Sequence, residues 1–396
     1  MRILFSYLLL ASLLLPSVRA QGTRDLGDVT IATASKTIPI SVSSSNAELN
    51  RLVNFAFEAH GAFRRVAGGA LYTVQFTPVG TTQVKVDVLR GGSPALSQVV
   101  SGTTTRNALF RAADVAVKAM SGLNGIFADQ LTFISERTGK PEVYTGDLFF
   151  GGVKQLTSDR TQAMTPRWSP DGTKILYTSY FRTGFPDIFL IDLNTLQRSN
   201  FVSFKGTNSS ARFSPDGQRV AMVLSGEGNP EIYVSNAQGK GVARLTRTSA
   251  VEASPSFSPD GSRLVFTSDS AGGPQLYVMS SRGGSASRLP TNISGYCAEP
   301  DWSWADPNKI AFTMRIGSGF QIGLFDMSTR TAATQVSKAP VDAVEPAWLG
   351  DGRHLVFTAR AANTRSIWIL DTVSGKATRL SGNELGKVSQ ANVLRP

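Results

Sequence analysis

Ser169-Pro170-Asp171-Gly172 returns as Ser214-Pro215-Asp216-Gly217 and again as Ser258-Pro259-Asp260-Gly261. Two worn copies follow, Trp304-Ala305-Asp306-Pro307 and Leu349-Gly350-Asp351-Gly352, and the aspartates step by 45, 44, 46 and 45 residues. Proline presets φ near −65° and glycine accepts positive φ, so the turn suits a tight hairpin. A hairpin repeated at that period marks one supersecondary unit copied along the chain. An aromatic precedes each turn: Trp168, Phe213, Phe257, Trp302 and Trp348. Their recurrence is explained by packing between neighbouring units. An apolar, β-branched run follows the turn, such as Leu264-Val265-Phe266-Thr267. A third run comes next, such as Leu276-Tyr277-Val278, and then a short polar one, such as Arg244-Leu245-Thr246. Four antiparallel strands in about 45 residues describe a β-propeller blade.

The number of blades follows from what is left over at each end. Residues 131–157 supply second, third and fourth segments but no first. Gln390 to Leu394 read as a first segment with no blade after it. Leu394 lies 46 residues beyond Trp348, which places it in the aromatic series and Pro396 where Pro170 stands. Six blades are expected over residues 126–396, with the C-terminal strand completing the first and closing the ring. Closure removes exposed sheet edges.

Upstream, residues 36–125 read as a small α/β domain. Ile38 to Val42 forms a strand, and Ser45 or Asn46 caps a helix reaching about Phe63. Tyr72-Thr73-Val74-Gln75-Phe76 and Val84-Lys85-Val86-Asp87-Val88 alternate as half-buried strands do. A second helix follows Thr104 or Thr105. Gly68-Gly69 and Gly91-Gly92 fit no phosphate-binding pattern and read as turns. Residues 1–20 have a basic start, an apolar run from Ile3 to Leu15 and small residues before Gln21, as a secretory signal does. That implies export, to the periplasm in a Gram-negative cell. Residues 21–35 are small and polar, with one alternating piece, Asp28-Val29-Thr30-Ile31. They read as a flexible terminus or as a strand that adds to a partner's sheet.

Composition narrows the chemistry. The formal charge is +11, and removing Arg2 and Arg19 with the leader leaves +9. The 40 lysines and arginines are scattered, so a mixed surface is favoured over a nucleic-acid stripe. The one cysteine, Cys297, excludes an intrachain disulfide framework or a cysteine-based zinc site. The only two histidines, His60 and His354, lie far apart in sequence, so surface or packing roles are expected for them, and neither a catalytic triad nor a multi-histidine metal site. There is no G-x-S-x-G elbow. Glu299 and Glu345 occupy equivalent positions, each just before a proline, with Glu252 nearby. They read as loop acids or partner contacts at a channel mouth, ahead of a metal site. No cofactor, metal ligand or catalytic residue is assigned.

This combination resembles the TolB family of the Tol-Pal system. The signal region, the α/β domain with Tyr72 to Phe76 and the Ser-Pro-Asp-Gly turns carry the likeness. So does the junction Gly122-Leu123-Asn124-Gly125-Ile126-Phe127-Ala128-Asp129-Gln130-Leu131-Thr132-Phe133. The order of α/β domain, six blades and closing strand sharpens it. The resemblance implies a non-enzymatic, monomeric periplasmic scaffold between two membranes, acting in outer-membrane integrity and constriction at division. It implies a Pal-like peptidoglycan-associated lipoprotein on the propeller, at loops entering the inner strands. The matching residues are Thr207, Asn208, Ser210 and Ala253, with Glu299 and Glu345 their neighbours by repeat symmetry. It also implies a TolA-like inner-membrane protein on the segment containing Asp28, Val29, Thr30 and Ile31. No nucleic acid or membrane insertion is expected. A metal-dependent propeller hydrolase and a cell-wall polysaccharide binder are the alternatives.

Overall fold

The computed structural model describes residues 37–329 and 331–394. The expected signal region, and the segment with Asp28, Val29, Thr30 and Ile31, lie outside the described residues.

The N-terminal unit is a five-stranded sheet with two helices. In chain order these are β1 (Ile38–Ser44), α1 (Ala47–Ala59), β2 (Phe63–Arg65), β3 (Tyr72–Pro78), β4 (Gln83–Arg90), β5 (Ser93–Ser101) and α2 (Thr105–Ser121). The sheet order is β2-β1-β3-β4-β5. Asn46 Oδ1 accepts the Glu48 and Leu49 N–H groups and so starts α1. Thr104 Oγ1 accepts from Asn107 N and starts α2. Leu49, Val53, Ala56 and Phe57 bury one face of α1, while Leu109, Ala112, Ala113 and Ala116 bury one face of α2. The expectation that α1 reaches Phe63 is corrected. The helix ends at Ala59, Gly61 turns the chain at φ +76°, and Phe63 to Arg65 pair in parallel with β1. β5 has no counterpart in the sequence reading, because apart from Leu96 and Val100, which reach the core, its side chains are exposed and carry no alternation. Gly91 and Gly92, both at positive φ, make the hairpin that leads into it.

The rest is a six-bladed propeller, each blade a four-stranded sheet paired antiparallel throughout. Blade one combines the C-terminal strand Val388–Val393 with Gln130–Ser135, Glu142–Asp147 and Lys154–Gln155. The inner strands of blades two to six are Ala163–Trp168, Asn208–Phe213, Glu252–Phe257, Cys297–Trp302 and Asp342–Trp348. One detail of the seam differs from the sequence reading. Val393 faces Leu131 just as Trp348 faces Leu355, so Val393 rather than Leu394 continues the aromatic series. The apolar character of Leu394 had hidden the one-residue offset.

The turns work as hairpin locks. Ser169 Oγ reaches Asp171 Oδ1 at 2.5 Å and accepts Lys174 N, and Asp171 accepts Thr173 N. The same pattern returns around Asp216 and Asp260. These hydroxyl and amide donors hold all three carboxyls below their ordinary range.

The two units share one apolar core. Phe57 of α1 meets Phe127 edge-on at 5.1 Å, and Phe110 of α2 lies 4.9 Å from Phe149 of blade one. Val356, Ile367 and Ile369 of blade six belong to the same buried cluster. The α/β unit therefore sits against blades one and six, at the end of the ring that carries the turn segments.

Candidate partner-docking face and channel

Each inner strand holds one residue in the left-handed region. These are Thr165, Ser210, Ser254, Glu299, Glu345 and Gln390, at φ between 50° and 57°. Each sits where the pairing with the second strand slips by one residue, a β-bulge. Left-handed backbone at a non-glycine residue costs on the order of 1 kcal/mol or more and persists where surrounding contacts fix it. Those contacts form a relay around half the ring. Glu299 Oε2 accepts Glu345 N at 3.0 Å, Glu345 Oε2 accepts Gln390 N at 3.1 Å, and Gln390 Oε1 accepts Thr165 N at 2.7 Å. Thr313 Oγ1 and Thr358 Oγ1 donate to the two carboxylates at 2.7 and 2.6 Å. Burial, and then the charge of Glu345, push the Glu299 carboxyl above its ordinary range. The two acids thus splice blades five, six and one together.

A second ring lies two residues further along the inner strands. Asp301 Oδ2 accepts Trp348 N at 2.8 Å, Ser256 Oγ accepts Trp302 N at 3.1 Å, and Asn392 Oδ1 accepts Trp168 N at 3.0 Å. Arg212 reaches from blade three to blade five, donating to Asp301 Oδ1 and to Ser256 Oγ, each at 2.5 Å. Between the rings is a channel cavity of about 70 Å³ lined by Arg167, Arg212, Glu299, Glu345 and Gln390, among others.

The loops entering the inner strands surround the channel mouth, at the opposite end from the Ser-Pro-Asp-Gly turns. Thr207, Ser210, Ala253, Glu299 and Glu345 are all half-buried there. Asn208 is fully buried, and this alters its part in the site. Its amide accepts Phe204 N and donates to Phe204 O and Pro186 O, so it shapes the loops from beneath. Glu252, read from sequence as a neighbour of the channel acids, lies elsewhere. It is buried against Thr248, Ser268 and Glu231, in the position of Asn208 rather than that of Glu299.

Asn208 ties together two loops whose aromatic residues the sequence reading does not single out. Phe181 and Phe185 stand in one and Phe204 in the other, 48%, 65% and 53% exposed. Arg182 and Lys205 are exposed beside them. Arg198 lies 3.9 Å over the Phe181 ring while ion-paired to Asp159. The available signal was the pair of phenylalanines flanking Arg182-Thr183-Gly184, since turns are seldom built of large apolar residues.

At the other end the two histidines, far apart in sequence, pack against each other. Their rings lie 4.3 Å apart, edge to face, both fully buried where α1 meets blade six. Arg353 pairs with Asp371 beside them, Lys376 with Glu58, and Arg106 of α2 with Asp147 of blade one. Gly61 packs so closely that a Cβ there would lie 2.5 Å from an Asp371 carboxylate oxygen.

Comparison with known proteins settles the family. The TolB β-propeller domain model matches residues 117–334, more than half of the chain. The chain belongs to the TolB β-propeller family. A Tol-Pal system protein TolB of Anaeromyxobacter dehalogenans is 34% identical over 174 residues, 41% of this chain and 38% of the relative. A TolB homologue of Chlorobium luteolum is 28% identical over 219 residues, 54% of this chain and 48% of the relative. The chain thus spans less than half the length of these curated relatives. The crystal structure of TolB from Acinetobacter baumannii superposes with a TM-score of 0.82 at 25% identity. That match covers 93% of this chain and 99% of the other. The TolB likeness therefore extends over both units. No helix among the described residues is long and apolar enough to cross a membrane.

Proposed function

We propose that this chain is a non-catalytic periplasmic scaffold of the Tol-Pal system that docks a Pal-like lipoprotein on the open mouth of its propeller. One observation carries the reading: at the mouth end, a loop of blade two and its connection to blade three expose Phe181, Phe185 and Phe204 next to Arg182 and Lys205. Exposed aromatic anchors with a basic fringe fit a partner that offers an apolar segment with acidic neighbours. Thr207, Ser210 and Ala253 lie on the same face, with Asn208 beneath as the pin of its loops. Glu299 and Glu345 spend their carboxylates on backbone N–H groups of the next blade, which favours a structural part over hydrolysis. In this reading the segment with Asp28, Val29, Thr30 and Ile31 takes a TolA-like inner-membrane protein. The protein would then hold inner and outer membranes in register during constriction.

The test is a cross-linking pull-down from intact envelopes. The wild-type chain is expected to capture a peptidoglycan-associated lipoprotein, with capture reduced by Phe185→Ser and by Ser210→Trp. Undiminished capture by both variants would refute the placement of the surface. Deleting residues 21–33 is expected to leave the propeller folded and lipoprotein capture intact while abolishing capture of the inner-membrane protein.

A further inference from the structure

Helix α1 ends without a basic residue of its own in the last turn. Its final carbonyls carry the negative end of the helix dipole and need donors. The propeller supplies them. Lys376 Nζ donates to the Glu58 carbonyl at 2.5 Å. His354 Nε2 lies 2.5 Å from the His60 carbonyl oxygen, and its Nδ1 lies 2.6 Å from Asp351 Oδ2. A carbonyl oxygen can only accept. Asp351 also accepts the Arg353 and His354 N–H groups through Oδ1, as a carboxylate does. Both ring nitrogens of His354 therefore face acceptors, and only the doubly protonated ring satisfies both.

We propose that His354 is a proton-operated clamp between the two units: as an imidazolium it grips the end of α1, and on losing its proton it lets go. The groups facing it are Asp351 on its own turn, Asp371 and Arg353 paired beside it, and His60 on α1. Asp129 of the junction faces Asp351, and Lys376 with Glu58 closes the rim. The nearby carboxylates Asp351 and Asp371 outweigh burial and raise the His354 pKa, whereas burial lowers that of His60. The His60 side-chain nitrogens have no hydrogen-bond partner, so His60 contributes its carbonyl and leaves its ring neutral. A raised pKa means that the contribution is full below the ordinary histidine value. It is lost as pH rises through the folded value. The boundary is thus tight in acid and loosens toward alkaline pH, which would let partner binding at one unit alter the other by shifting one proton.

The chain has two histidines, so a ¹⁵N-histidine spectrum of the full protein resolves the question. At neutral pH one ring is expected with both nitrogens protonated, its signals absent in His354→Gln. Spin labels at Gln98→Cys and Lys240→Cys then report the distance between units. The wild-type distribution is expected to be narrow below the His354 titration and broader above it. In Asp351→Asn the broadening should move to lower pH, and in His60→Phe, which keeps the carbonyl, it should be unchanged. A neutral His354 at neutral pH, or a distance distribution indifferent to its titration, would overturn the proposal. So would one equivalent of zinc in the purified protein that is lost in His354→Gln, since the metal would then hold the proton's place. Should a variant fail to fold, the wild-type titration with its paired distance readout still decides.

Discussion

The two ends of the propeller are built from the same repeat and have opposite character. At the turn end, blades one and six lie under the α/β unit, and charged groups are paired at buried or half-buried positions: His354 with Asp351, Arg353 with Asp371, Arg106 with Asp147. At the mouth end, large aromatics are left in water. Buried ion pairs add little net stability over an apolar packing but are costly to break, so they fix one arrangement of two bodies. Exposed aromatics do the reverse, leaving energy to be gained when something else arrives. The propeller thus has a fixed end, which the chain uses for its own α/β unit, and an end whose aromatics are left available.

The largest test of this contrast is Gly61→Ala. Positive φ and the close Asp371 carboxylate together should cost on the order of 4 kcal/mol in urea unfolding, with the α/β unit melting separately. Unchanged stability would mean that the sealed end is not sealed. Next comes Asp301→Ala in the channel, which strands Arg212 and the Trp348 N–H, with an expected loss of about 3 kcal/mol by the same measurement. At the mouth, Phe185→Ser should leave the unfolding midpoint in place and weaken lipoprotein binding about tenfold by calorimetry. A large loss of stability instead would make Phe185 part of the core.

The smallest effect expected is at Glu252, whose carboxyl is pushed up to about 7 by burial and by neighbouring Glu231. Because the folded value is raised, its contribution is full below the ordinary carboxyl range and fades as pH rises through about 7. Glu252→Gln mimics the protonated acid, so thermal melts from pH 5 to 8 should show a flatter profile than wild type. An identical slope would remove Glu252 as the cause.

The ring was legible in the sequence because its turns need proline and glycine at fixed places, and a copied turn announces its period. The site was legible only in part. Glu299 and Glu345 could be aligned by their prolines, but the left-handed bulge that aims them at the next blade leaves no residue-type signature when Thr, Ser, Glu and Gln all occupy it. Glu252 stands two positions before Ser254, the counterpart of Glu299 and Glu345, so it lies ahead of the bulge that aims those acids. The meeting of His60 with His354 could not be seen at all, since two residues 294 apart are joined only by how the units dock.

The seam of the ring has a consequence in time. Ser135 bonds to the carbonyl of Leu385, 250 residues later, and the strand completing its blade follows. Chains emerge at about 5–20 residues per second. A chain that emerges N-terminus first therefore waits roughly 12 to 50 seconds between making the first part of blade one and receiving its inner strand. During that interval Gln130–Ser135 is an open edge, able to pair with any strand nearby. The last strand is a clock as much as a clasp: blade one is begun first and finished last.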